Sequence, residues 1–132
     1  MSRIAAVILA GGKGERLGGV NKALLEVGGI RLVDRALAAV RGCDPVLLSV
    51  GESDFDLPGP VHILETAGQY SGPLAGISSS VGHLRHDPPE FLLSLAVGTP
   101  FFPADFAERA LALIGDAPAV LAAYAGQAYP TN

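Results

Sequence analysis

An unbroken apolar run, Ile4-Ala5-Ala6-Val7-Ile8-Leu9-Ala10, opens the chain and stops at Gly11-Gly12. A run without alternation predicts a strand covered on both faces, as in a parallel sheet. The next apolar segment, residues 23–27, is short and ends in Gly28-Gly29, a turn signal. From Leu32 the period changes: Leu32, Val33, Ala36, Leu37 and Val40 share one helical face, and Gly42 marks the stop. Residues 46–50, opened by Pro45, predict a second strand, and 61–64 a third. Between them, 51–60 hold three acids and the breaker run Pro58-Gly59-Pro60, so a loop. Ser71-Gly72-Pro73 opens a helix from Leu74 to about Leu84. Its small residues Ala75, Gly76, Ser78, Ser79 and Ser80 imply close packing or a nearby ligand. Asp87-Pro88-Pro89 breaks the chain before 91–97, the most apolar stretch and the expected central strand. Pro103 and Asp105 start a third helix with Phe106, Ala110, Leu113 and Ile114 on one side. Residues 119–123 predict another strand, and Gly126 begins a hairpin-like return.

Strand and helix alternate, so the expected class is α/β with a mostly parallel sheet. Ligands of such sheets sit at the carboxyl ends of the strands. The loops expected there are 10–22, 50–54, 65–73 and 98–103. No repeat, low-complexity tract or linker divides the chain, so residues 1–132 are read as one domain.

Composition narrows the class further. At 132 residues with 49% hydrophobic content and mean hydropathy +0.40, the chain can bury a core and is not of disordered composition. No apolar run reaches the length of a membrane span. Residues 4–10 after Arg3 are at the short limit for a signal-peptide core, and a glycine loop follows instead of a cleavage site. The lone Cys43 cannot form an internal disulfide, and only Arg41 beside it offers a cation. A cytoplasmic protein without a membrane partner is expected. Net charge is −4, but residues 1–41 carry +4 and the remainder −8. The positive pole coincides with the glycine loop. That suits a small polyphosphate, and it does not suit nucleic acid, which wants a basic domain.

The chemistry therefore starts at residues 11–22, where five glycines lie among Lys13, Arg16 and Lys22. Glycines let backbone N–H groups turn toward a ligand, and such N–H groups beside cations make a phosphate site. The common phosphate motifs fail. A Walker loop needs Lys directly after its second glycine; Leu17 stands five after Gly12, and Val20 follows Gly19. The dinucleotide fingerprint starts at Gly12-Lys13-Gly14 but meets Leu17 where its third glycine belongs. His62 is alone in a strand. His83 and His86, spaced i, i+3, fit a helix C-terminus. No Ser-His-Asp or Cys-His set is visible. Arg31 and Arg35, beyond the Gly28-Gly29 turn, read as solvated charges, as does Lys13.

A third pattern fits: Leu9-Ala10-Gly11-Gly12, a short variable stretch, Arg16-Leu17-Gly18, and Lys22. It resembles the signature loop of the nucleotidyltransferases that activate sugars and cofactors with a nucleoside triphosphate. Residues 16–26, Arg-Leu-Gly-Gly-Val-Asn-Lys-Ala-Leu-Leu-Glu, look most like the molybdenum cofactor guanylyltransferases, which join GMP to molybdopterin. The resemblance implies a Rossmann-like three-layer sandwich of the nucleotide-diphospho-sugar transferase type. It implies GTP and molybdopterin as substrates, pyrophosphate as leaving group and Mg²⁺ as cofactor.

Residue by residue, the resemblance sets Leu9, Ala10 and Gly11 against guanine and ribose, and Gly11 and Gly12 against the triphosphate. Lys22 meets phosphate, and Arg16 stabilises charge on the α-phosphate and the departing pyrophosphate. Gly72-Pro73-Leu74-Ala75-Gly76 matches the segment that lines the base pocket. Ser49 aligns with a position often held by Asn, and Glu65 with one often held by Asp, both toward the nucleotide.

Four departures accompany the match. Asn21 replaces the usual Asp before the lysine. Leu95-Ala96-Val97-Gly98-Thr99-Pro100 matches the family's Asp-Thr-Pro, but the Mg²⁺-binding Asp is Gly98 here, which has no oxygen to offer a hard cation. The family also continues past this point with a further acidic metal ligand and much of the pterin surface, and Tyr129 stands where His is common. An incomplete C-terminal end would expose an apolar strand edge and invite self-association. Two other functions stay open: transfer of CMP or another nucleotide to a cofactor or sugar phosphate, and nucleotide binding with impaired catalysis.

Overall fold

The structure, a computed structural model, describes residues 3–10, 16–17, 20–50, 57–63, 73–97, 106–117, 122–124 and 127–129. Four parallel strands form its sheet: β1 (Ile4–Leu9), β2 (Val46–Ser49), β3 (Val61–Ile63) and β4 (Phe91–Ala96), in the order β3-β2-β1-β4. β1 is central. It pairs with β2 from Ala6↔Val46 to Leu9↔Ser49, and with β4 from Ile4↔Phe91 to Leu9↔Ala96. The unbroken apolar run is explained by this position. Ala5, Ala6, Val7 and Ile8 are wholly buried, because both faces of β1 are covered.

Successive β1 residues feed opposite faces. Ala6 and Ile8 join Leu48, Leu93 and Leu95 in a core built with helix α1 (Leu32–Ala39) through Leu32, Val33, Ala36 and Ala39. Ala5, Val7 and Leu9 join Leu47 on the other face, where Ile77 of helix α2 (Pro73–His83) and Leu84 just beyond it pack. The result is three layers, helix on sheet on helix. Burial of each large aliphatic side chain contributes roughly 1.5–3 kcal/mol.

α1 runs as its apolar spacing predicts. Asp34 in its first turn favours the helix amino end and grips Arg31, Nε to Oδ2 at 2.7 Å and Nη2 to Oδ1 at 3.2 Å. Before α1, Glu26–Val27 and Ile30–Arg31 form a small antiparallel ladder around Gly28 and Gly29, with φ of +64° and +81°. Positive φ at both central residues is what a two-residue hairpin of primed type demands. Helix α3 (Phe106–Ile114) follows β4, and Ala107 packs against the α1-side core. The expected return near Gly126 is an antiparallel pair, β5 (Ala122–Tyr124) with β6 (Gln127–Tyr129).

Two expectations are corrected. Leu113 does not share the buried side of α3; it is 78% exposed, and Ala107, Ala110, Leu111 and Ile114 are the partly covered positions. A helix of nine residues touching the core near its start has a narrow apolar stripe, and Leu113 lies off it. Arg35 is not a solvated charge. It is half-buried, and its Nη2 donates to the Val27 carbonyl at 2.5 Å. Arg31 is ion-paired with Asp34, as above.

Candidate functional site

The four strands end flush. Leu9, Ser49 and Ile63 stand in register across β1, β2 and β3, and Leu9 opposes Ala96 of β4. One more rung continues past each end. Ala10 N–H donates to the Ser49 carbonyl at 2.8 Å, Val50 N–H to Ile63 at 3.0 Å, and Val97 N–H to Leu9 at 3.2 Å. The segments beginning near 11, 51, 64 and 98 therefore all leave the sheet at one carboxyl edge. β1 connects to β2 through α1 on one face, and β3 connects to β4 through α2 on the other. That reversal makes the β1/β4 boundary the topological switch point, where such sheets take ligands. The described chain ends at Ala10 on one side of the boundary and at Val97 on the other.

The amino end of α2 returns to this edge. Pro73 is its first residue, a position where proline loses no hydrogen bond. One turn on, Gly76 lies directly over the ends of β1 and β2. A Cβ on Gly76 would fall 2.6 Å from Ser49 Oγ and 2.8 Å from Leu9 Cδ2, so glycine is required for this approach. Ser80 Oγ, fully buried, donates to the Gly76 carbonyl at 2.8 Å and holds that turn of the helix. Ser49 is 1% exposed, and its Oγ has no hydrogen-bond partner among the described residues. The small-residue signal in α2 thus has a packing cause, and it brings Leu9, Ser49 and Gly76 together.

In the glycine loop, Arg16–Leu17 pairs with Val20–Asn21 as a two-residue antiparallel ladder, Arg16↔Asn21 and Leu17↔Val20. Sequence reasoning missed this hairpin, although Gly18-Gly19 between apolar Leu17 and Val20 is its signal. The pairing sets the backbone of Arg16 beside Asn21, the neighbour of Lys22. Lys22 opens a 3₁₀ turn, Lys22–Leu24, whose Ala23 is fully buried in the α1-side core. Leu9 and Ala10 lie at the edge itself, nearly covered. Gly11, Gly12, Glu65, Gly72 and Gly98 lie outside the described residues, as do Lys13, Pro103 and Asp105.

Other chemistry-bearing groups are spent elsewhere or isolated. His62 Nε2 pairs with the Leu57 carbonyl at 2.7 Å. Cys43 is half-buried, and burial pushes its thiol up, away from the nucleophilic form. Among the described residues no group of three or more His, Cys, Asp or Glu could hold a metal ion. Position 98, next in sequence after Val97 at the end of β4, is glycine and brings no side-chain oxygen for a hard cation. Among the described residues no helix is long and apolar enough to cross a membrane.

Comparison with known proteins covers nearly the whole chain. The family model described as a MobA-like NTP transferase domain matches residues 6–131. A molybdenum cofactor guanylyltransferase of Acidiphilium cryptum is 43% identical over 126 residues, 93% of this chain and 62% of that protein. Another from Rhodobacter capsulatus is 38% identical over 109 residues, 81% of this chain and 57% of that protein. Among solved structures, the Rv0371c homologue from Mycobacterium sp. strain JC1 superposes with TM-score 0.65 at 24% identity, covering 83% of this chain and 58% of that one. That likeness concerns the fold. The chain spans less than two thirds of the length of these relatives.

Proposed function

Because the chain belongs to the MobA-like NTP transferase domain family, we propose that it forms the nucleotide-binding part of a molybdenum cofactor guanylyltransferase. The nucleotide is GTP, the acceptor is molybdopterin, and the setting is the cytoplasm. The observation that carries the reading is the shared carboxyl edge. There Leu9 stands in register with Ser49 and Ala96, and the amino half of α2 comes down on Leu9 and Ser49 at Gly76.

In the proposed reaction an oxygen of the acceptor's terminal phosphate attacks the α-phosphorus of GTP. The new P–O bond forms as the bond to the β-phosphate oxygen breaks, and pyrophosphate leaves with the electron pair. This chain's part is to bind and orient. Backbone N–H groups at Gly11 and Gly12 hold triphosphate oxygens, as glycine loops after a strand do. Lys22 binds phosphate, and Arg16 balances charge that builds on the leaving group. Leu9, Ala10, Gly72, Pro73 and Gly76 shape the base and ribose side, with Glu65 beside them. Ser49 works from behind: its hydroxyl meets α2 and not solvent, so it supports the wall at Gly76.

Mg²⁺ is proposed only as an ion that accompanies the triphosphate, since Gly98 provides no ligand and no step here runs through the metal. This favours a second reading within the same site: nucleotide binding with weak transfer. Titration calorimetry tests the site directly. GTP should bind the chain, and Lys22→Ala should weaken it by about 1–3 kcal/mol, the scale of a charge-assisted contact. GTP affinity unchanged in Lys22→Ala would remove Lys22 from the site. Parallel titrations with CTP and ATP read the base preference, and pyrophosphate release with molybdopterin present separates transfer from binding.

A further inference from the structure

We infer that Arg35 is a positioning residue for Lys22, acting through the hairpin at residues 26–31; the inference rests on the nucleotide site proposed above. Arg35 projects from the first turn of α1, and its Nη2 donates to the Val27 carbonyl at 2.5 Å. Val27 is the last residue before the Gly28-Gly29 turn. A Cβ on Gly28 would stand 3.0 Å from the same Nη2, so glycine there admits the guanidinium as well as the positive φ. A second tie runs from Leu32 N–H to the Leu25 carbonyl at 2.8 Å. Upstream, Ala23 is fully buried against α1.

The stretch from Lys22 to Arg31 is thus attached to α1 and its core at several points: Ala23 by burial, Leu24 and Leu25 by packing, Leu25 also by its carbonyl, Val27 through Arg35, and Arg31 through Asp34. Lys22 stands immediately outside the first. The hairpin's second strand runs directly into α1, but its first strand, Glu26–Val27, has no buried side chain to hold it. Its own ladder is two residues long, and short ladders are marginal in water. Its apolar residues Val27 and Ile30 are 36% and 47% exposed, so neither joins the core. The neighbouring cation, Arg31, has its fork closed on Asp34. The guanidinium of Arg35 therefore ties the hairpin's first strand to α1 at Val27. Through Leu25 and Ala23 that placement bears on the backbone position of Lys22, the first residue of the 3₁₀ turn.

The test is a double-mutant cycle read by GTP calorimetry on wild type, Arg35→Gln, Lys22→Ala and the pair, with backbone hydrogen exchange over residues 22–31 measured without nucleotide. Arg35→Gln should raise Kd for GTP roughly threefold to tenfold, the range for losing one ordinary hydrogen bond. It should also speed exchange across 22–31, and Arg35→Lys should recover part of both. In the Lys22→Ala background, Arg35→Gln should change Kd no further. A general loss of fold would instead weaken binding equally in both backgrounds, and that result overturns the inference. So does an unchanged Kd in Arg35→Gln while Lys22→Ala weakens binding. If Lys22→Ala alone has no effect, the proposed phosphate site fails, and exchange over 22–31 still reports whether Arg35 holds the hairpin. Should Arg35→Gln not fold, the same cycle run with Arg35→Lys decides the matter by the same criteria.

Discussion

Gly76 and Ser49 meet where no methyl group fits. A Cβ 2.6 Å from Ser49 Oγ and 2.8 Å from Leu9 must push α2 off the strand ends or distort both side chains. Gly76→Ala is therefore expected to destabilise by about 1–3 kcal/mol in urea titrations and to weaken GTP binding, because the same turn borders the proposed base pocket. Ser49→Ala should behave oppositely. Its buried hydroxyl lacks a partner among the described residues, so removing it should leave stability unchanged or raise it by up to about 1 kcal/mol. Its effect on GTP affinity should stay below about 1 kcal/mol, the ordinary net worth of one hydrogen bond, since the side chain sits behind Gly76. In the double variant, part of the Gly76→Ala loss should return, because the nearest obstruction has gone. A strict sum of the two single effects would show that the strain lies with Leu9 alone.

At the level of elements, the strands and helices differ in how firmly the core holds them. Leu48 of β2 is fully buried between β1 and β3 and packs in the α1-side core. Leu48→Ala should cost about 2–5 kcal/mol by thermal or urea unfolding, through lost burial and the cavity left behind. Leu113 of α3, equally apolar in sequence, is 78% exposed. Leu113→Gln should shift stability by no more than about 0.5 kcal/mol. A loss comparable to that of Leu48→Ala would mean that α3 packs through Leu113 after all.

Across the whole molecule, the amino ends of the strands are tied as deliberately as the carboxyl ends are left for loops. Arg3 Nη1 pairs with Asp87 Oδ1 at 2.8 Å, its Nη2 donates to the Asp87 carbonyl at 3.1 Å, and its Nε reaches the Asp44 carbonyl at 3.4 Å. One side chain thereby joins the start of β1 to the turns that precede β2 and β4. The ion pair is exposed, 39% at Arg3 and 82% at Asp87, so solvent screens most of it. Arg3→Ala should cost roughly 0.5–1 kcal/mol at low salt and less at 1 M salt, followed by unfolding midpoints. GTP affinity should not move, because this clamp lies at the opposite edge of the sheet from the site. A change in affinity would mean that the two edges are coupled.

Features written in local period and local backbone chemistry were legible before any folding. The uninterrupted 4–10 run required a strand covered on both faces, and β1 is central and wholly buried. The i, i+3, i+4 stripe at 32–40 became α1, and Gly28-Gly29 became a turn that needs positive φ twice. The stretch from Leu9 to Lys22 carried the family resemblance, and the family model matches residues 6–131. Tertiary structure alone decided which distant residues touch. Nothing near position 76 announces Ser49, 27 residues earlier, yet the strand order and the crossing of α2 put them in contact. Arg35 looked like any surface cation until the hairpin folded back and brought a backbone carbonyl to its guanidinium. Leu113 satisfied helical spacing, but α3 meets the core along a stripe that leaves it in water. Periodicity reports that a face exists. Which groups fill it, and which polar atoms find partners across it, is settled only when the layers pack.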